Sequence, residues 1–230
     1  MSTISRNFTS GDTCTISATP SSGYSFTGWY ENNVLASNAN PYSFTVNANR
    51  SLVGRFSANA YIISATVDPK DSGTVSGTGS YDYGTTATLT ATPATGYNFV
   101  NWTVGGTEVG TSTTYSFTVS GDATVQANFV IKTYNIAAVI DPVGGGTVSG
   151  TGTYNHGASV SLTATPSAGY TFVGWYTGAD SKISTDNPLT FTATESITYT
   201  AKFAPTYTIS VEYDNAKGTA AFVEQQQEND

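Results

Sequence analysis

"GYNFVNWT" at residues 96–103 decides how the chain is read, because the same octet recurs as "GYSFTGWY" at 23–30 and "GYTFVGWY" at 169–176. No copy holds a charged side chain, a histidine or a cysteine. A dense aromatic block of this kind suits either a stack of rings for a ligand or the core of a small module that is itself repeated. The spacing favours the module. Trp29, Trp102 and Trp175 follow one another at a constant 73 residues, and an internal period must be settled before any local assignment.

Many other positions keep the period. Pro20, Pro93 and Pro166 do so, as do Gly11, Gly84 and Gly157, and Phe26, Phe99 and Phe172. Phe44, Phe117 and Phe191, then Phe56, Phe129 and Phe203, keep it with one inserted residue in the third copy. The free stretches are "ENNVLASNAN" (31–40), "VGGTEVGTST" (104–113) and "TGADSKISTDN" (177–187), which share polarity and turn residues only. They read as exposed hairpin loops.

Within a repeat nearly every segment alternates with period two, and no window shows apolar residues at helical spacing. In the second copy "YIISATV", "GTVSGTGSY", "TATLTAT", "YNFVNWTV", "TTYSFTV" and "ATVQANF" predict about six short strands. The fold class is therefore all-β or nearly so, in tandem small modules. A module of ~70 residues buries only a modest core, which commits its large rings to packing.

Phe26 and Trp29 are three residues apart, so a regular strand would point them to opposite faces. The residue before the tryptophan is Gly28, Asn101 or Gly174. Gly and Asn tolerate positive φ best, and a bulge there would shift strand parity by one and put both rings in one core. The functional alternative is a platform on which Tyr30, Tyr176 and the tryptophans stack against sugar faces. Thr103 in the tyrosine position of the second copy argues against it.

Composition narrows the rest. Of 230 residues 10% are charged, and 16 acidic against 8 basic residues give a net charge of −8. No positive field attracts phosphate, so no nucleic-acid partner is expected. The acidic residues are scattered and read as a solubilising background. The single cysteine, Cys14, excludes an internal disulfide and alternates with Ile16 and Ala18, which suits a buried strand face. His156 is the only histidine, and its counterparts are Tyr83 and Ser10, so neither a catalytic triad nor a histidine metal cluster is expected. "VGGGTVSGTG" (143–152) leads into a strand pattern instead of a helix and reads as a turn, not a phosphate loop. Asp68 and Asp71 flank Pro69 in a turn, and only Asp141 of that pair recurs in the third copy. These residues give no catalytic, metal or cofactor site, and ligand-binding residues are not assigned. The opening "MSTISRNFTSG" has no apolar stretch of signal-peptide length, and no run of about 18 apolar residues occurs, so no membrane insertion is expected.

"TATPATGYNFVNW" and "TATPSAGYTFVGWY", followed by "YSFTV" and by "VQANF" or "YTAKF", resemble the divergent B-repeat family of internalin-like bacterial surface proteins. The resemblance runs from about residue 3 to about residue 222. It implies β-grasp-like or β-sandwich-like modules in tandem on exported proteins, with a spacing or adhesion role and no catalysis or cofactor. A host or cell-surface protein or a glycan is the implied partner, and an extracellular or cell-surface location the implied place. Where this family more typically has a charged Arg-Asp pair before Gly-Tyr, the present chain has "SSGY", "ATGY" and "SAGY".

A parse that starts each repeat at Tyr61, Tyr134 and Tyr207 gives 1–58 as a first repeat without its opening strand, 60–131 as the second and 133–204 as the third. Residues 206–230 are then the opening hairpin of a partial fourth repeat plus a polar tail. The alternative parse closes each repeat with the strand at those tyrosines, giving three permuted copies and a tail. With connectors as short as "SANA" (57–60) and "AP" (204–205), the sequence predicts an elongated rod. The first parse also predicts weak head-to-tail self-association through an exposed strand edge. Two further function classes stand beside the surface repeat: a carbohydrate-binding accessory module of a secreted enzyme, and a phage or virion appendage.

Overall fold

The structure is a computed structural model that describes residues 2–178 and 181–222. Its regular elements are all strands. The first repeat holds β1 (Thr13–Ile16), β2 (Tyr24–Glu31), β3 (Val34–Ser37), β4 (Tyr42–Thr45) and β5 (Val53–Ala58). The second holds β6 (Ala60–Asp68), β7 (Gly73–Ser76), β8 (Gly79–Asp82), β9 (Thr86–Pro93), β10 (Tyr97–Val104), β11 (Thr107–Gly110), β12 (Thr114–Thr118) and β13 (Ala123–Ile131). The third holds β14 (Thr133–Asp141), β15 (Gly146–Ser149), β16 (Gly152–Asn155), β17 (Ser159–Pro166), β18 (Tyr170–Thr177), β19 (Ser181–Ser184), β20 (Leu189–Thr192) and β21 (Ile197–Pro205). The chain forms two compact units, Met1–Ile131 and Lys132–Asp230.

In the first unit the second repeat is complete. One sheet runs β11-β10-β13-β6-β8 and a smaller one β12-β9-β7. All its pairings are antiparallel except β6 with β13, where Ala123 lies opposite Ile63 and Asn128 opposite Asp68. Alternation along β9 sends Ala87, Leu89 and Ala91 inward to meet Ile63, Trp102, Val125, Ala127 and Phe129 from the larger sheet. Two sheets over one core make the repeat sandwich-like. In the second unit the third repeat repeats this order, as β16-β14-β21-β18-β19 and β15-β17-β20, around Ile136, Leu162, Trp175, Ala201 and Phe203.

Among the described residues the first repeat has β3-β2-β5 and β1-β4. The strand that starts at Ala60 pairs with β13 and β8, and no pairing of β6 with β5 occurs among the described residues. The join between the first two repeats is a single residue: the Asn59 N–H donates to Gly23 O at 2.8 Å and the Tyr83 N–H to Asn59 O at 2.8 Å. Tyr83 lies over Gly23, where a Cβ would fall within its ring, and meets Tyr24 edge-on at 5.8 Å. Glycine is required at that close approach.

Residues 206–222 form no strand. They hold one turn, in which the Lys217 N–H donates to Asp214 O at 3.0 Å. Among the described residues no strand pairs with them, and a lone hairpin is marginal in water.

Candidate functional site

The aromatic block resolves as the parity argument requires. Pairing skips one residue between Phe26 and Gly28, between Phe99 and Asn101, and between Phe172 and Gly174. The bulge brings each phenylalanine to its tryptophan, with centroids 5.3, 5.5 and 5.4 Å apart, and a second phenylalanine from the neighbouring strand closes the cluster. The expected backbone conformation needs one correction. Gly28 and Gly174 have φ of 146° and 153°, but Asn101 does not have a positive φ. Parity is shifted by the extra residue and not by handedness, so a residue with a side chain fits wherever that side chain is held. Asn101 is held by Glu108, to which its amide donates, and by Asn128, which donates to its oxygen at 2.7 Å.

Trp102 and Trp175 are completely buried, and their indole N–H groups donate to Ser112 O at 2.9 Å and Asp186 O at 3.0 Å. Neither presents a face to a sugar. Trp29 is half-buried, and its Nε1, itself out of contact with water, has no acceptor.

The bulge also sets what lies on the opposite face of each larger sheet. Arg55 sits over the Tyr30 ring at 4.2 Å and Lys202 over the Tyr176 ring at 4.6 Å. At the same two positions the second repeat has Thr103 and Asn128, joined by a 3.1 Å hydrogen bond. Sequence reading named the tyrosines and missed their partners. The signal was there in the period, since Arg55, Asn128 and Lys202 are equivalent positions and change in step with Tyr30, Thr103 and Tyr176. A cation on a ring face contributes roughly 0.5–1 kcal/mol at an exposed site, and it occupies the face that a stacked sugar would need.

The variable stretches are hairpins. β3, β11 and β19 turn back on β2, β10 and β18. Asn32 and Asn33, with φ of 51° and 66°, and Gly105 and Gly106, with 56° and 83°, make tight two-residue turns whose central residues both have positive φ. Part of the third loop, residues 179–180, lies outside the described residues. Arg55 also donates to Asn33 Oδ1 at 2.6 Å, tying the first turn to the tyrosine face.

The remaining polar candidates serve local structure. His156 lies beside Tyr134, ring centroids 5.9 Å apart. Asp71 takes φ of 65° in the turn after Asp68, and Ser72 is buried with its N–H donating to Pro69 O at 3.2 Å. Cys14 is buried on β1 opposite Phe44. Among the described residues no group of three or more His, Cys, Asp or Glu side chains could hold a metal ion, and no helix is long and apolar enough to cross a membrane.

Three titratable groups are shifted. The Arg50 guanidinium hydrogen-bonds Glu31 at 2.8 Å and holds that carboxyl below its ordinary range, while the same contact raises Arg50. Burial, helped by the charge of Glu195, pushes the Tyr199 hydroxyl up.

The larger sheets thus expose hydroxyls, amides and cation-covered rings, edged by hairpins that differ in every repeat. A family model described as "Divergent InlB B-repeat domain" matches residues 2–60, 63–133 and 136–207. No curated protein and no solved structure matches the chain.

Proposed function

Because the chain belongs to the divergent InlB B-repeat domain family, whose members are repeat modules of bacterial surface proteins, we propose that it is a non-enzymatic surface or secreted segment that spaces and presents its hairpins. We further propose the repeat boundaries 1–58, 60–131 and 133–204, with 206–230 opening a fourth. The partner in this reading is a host or cell-surface protein or a glycan, met outside the cell. One observation carries it: positions that keep the period are buried or structural, whereas variation gathers in the hairpins ending β2, β10 and β18.

The test replaces all three hairpins by minimal Asn-Gly turns and compares the product with the parent on arrays of host-surface proteins and glycans. The expected result is lost binding with unfolding unchanged. If the trimmed protein still binds glycans and Tyr30→Ala with Tyr176→Ala abolishes that, the carbohydrate-binding alternative replaces this reading. If the parent binds nothing, presentation fails and spacing alone remains.

A further inference from the structure

The first repeat is open where the other two are closed. In them a parallel strand, β6 or β14, covers the far edge of β13 or β21, and the strand after it, β7 or β15, pairs with β9 or β17. Nothing among the described residues fills those places beside β5 and β1. The consequences are local and specific. Phe56 is 44% exposed where Phe129 and Phe203 are 6% and 5%. β1 stops at Ile16, so its ladder covers four residues where β9 and β17 have eight. A shallow groove of about 330 Å³ remains, lined by Thr19, Ser21, Tyr24 and Phe56.

Residues 207–222 carry the pattern that fills this gap elsewhere. Tyr207 and Ile209 repeat Tyr61 and Ile63, and Tyr134 and Ile136. Ile63 and Ile136 are each 1% exposed, whereas Ile209 is 73% exposed. With one residue fewer in the turn, Gly218-Thr219 takes the place of Gly73-Thr74 and Gly146-Thr147. Those two glycines lie against the Phe129 and Phe203 rings with no room for a Cβ, whereas Gly218 has nothing near it.

We propose that residues 207–222 of one copy add to the open edge of the first repeat of a second copy, as a strand parallel to β5 followed by a strand antiparallel to an extended β1. Transferring the register of the other repeats sets Ile209 opposite Arg50, Val211 opposite Leu52 and Asp214 opposite Arg55. The last pair is charge-complementary, as Asp141 opposite Lys202 is in the third repeat. Gly218 then comes over Phe56 and opposite Pro20. Main-chain hydrogen bonds along an exposed edge supply affinity, and the alternate side chains supply register. Donor and acceptor are different surfaces, so the contact is heterologous and builds dimers and longer chains.

Arg50 is the obstacle and the regulator. It stands where Ala123 and Ile197 stand in the closed repeats, stacks on Phe44 at 4.6 Å, and is paired to Glu31. Charged side chains on an edge discourage pairing, so the incoming strand must displace this latch and association is weak.

Sedimentation of the full chain over a range of concentrations tests the proposal. Concentration-dependent association is expected, strengthened severalfold by Arg50→Ala and abolished by Ile209→Asp or Gly218→Val. Val143→Asp, which alters an even more exposed apolar residue outside the donor, should leave association unchanged. A chain monomeric at every concentration both as wild type and as Arg50→Ala overturns the proposal. So does association that survives both donor substitutions, or that Val143→Asp removes as well, since apolar adhesion would then explain it.

Discussion

The first and second repeats carry the same aromatic block with the same bulge, yet only the second seals it. Phe26 and Trp29 stand 5.3 Å apart, and Phe99 and Trp102 5.5 Å, so the local geometry is equal. Burial is not. Trp102 is fully enclosed and its N–H is bonded, whereas Trp29 is half-buried with an orphaned donor. The difference comes from β6, β7 and β8, which have no counterparts in the first repeat among the described residues. A strand motif can therefore fix how rings meet each other, but water is excluded only when both sheets are complete.

The sharpest way to break this comparison is to delete both rings. Trp102→Ala should cost the second repeat roughly 3–5 kcal/mol, as large-to-small core changes do. Trp29→Ala should cost less than half of that, because part of the ring is already in water and an unsatisfied buried donor, which costs about 1–3 kcal/mol, disappears with it. Amide exchange resolved by repeat would measure both. Equal losses would mean that the first repeat is as closed as the second.

What was legible in the sequence follows the same division. Alternation, the 73-residue period and the glycine or asparagine before each tryptophan predicted strands, repeats and the bulge, because each is read from the order of residues along the chain without knowing which strands pair. The parallel pairing of β6 with β13 joins Ile63 to Ala123 across a whole repeat, and no local pattern announces it. The negative φ of Asn101 was missed for a related reason, since its conformation depends on Glu108 and Asn128. The cations over Tyr30 and Tyr176 also come from a neighbouring strand.

A second contrast lies at the bulges themselves. Gly174→Val should destabilise the third repeat by about 1–3 kcal/mol, since a β-branched residue resists the positive φ found there. At both bulge glycines the closest atom to a new Cβ belongs to a movable side chain, Lys182 or Leu35, but the backbone carbonyl behind it is nearer at Gly174, 2.8 Å to Ser184 O, than at Gly28, 3.0 Å to Ser37 O. Gly28→Val should therefore cost less. Gly174→Asn should cost less than Gly174→Val, because Asn101 shows that the bulge forms without a positive φ. Thermal unfolding of the three variants gives the order, and a Gly174→Asn protein as damaged as Gly174→Val would show that the second repeat's solution does not transfer.

The comparison can also be narrowed by making the first repeat more like the others. Gly54 stands where Ala127 and Ala201 are fully buried against the core. Gly in a strand interior costs about 0.5–1 kcal/mol relative to Ala through chain entropy. Gly54→Ala should recover about that much, provided that Trp29, whose ring atom would lie 3.2 Å from the new Cβ, gives by a few tenths of an ångström. Partly exposed, it has room to do so. A loss of stability in the first repeat would show that Trp29 is as tightly held as Trp102.

The smallest expected effect concerns the latch that only the first repeat has. Glu31 is replaced by Val104 and Thr177 in the other repeats, so its pairing with Arg50 has no equivalent there. Hydrogen bonding by Arg50 lowers the Glu31 carboxyl from its ordinary 4.5 in the folded state. A depressed folded-state value means that the contribution is complete above the unfolded value and is lost as pH falls through the folded one. Amide exchange in β2 and β5 should therefore accelerate in wild type as pH drops below 4.5, after correction for intrinsic exchange rates, by more than it does in Glu31→Gln. Both partners are exposed enough for salt to screen the pair, so the difference between the two proteins should shrink at high ionic strength. Parallel pH profiles for the two would show that the pair contributes nothing to holding β2 and β5 together. The charge of Arg50 would then guard the edge without help from Glu31, and Glu31→Gln should leave the association of chains unchanged.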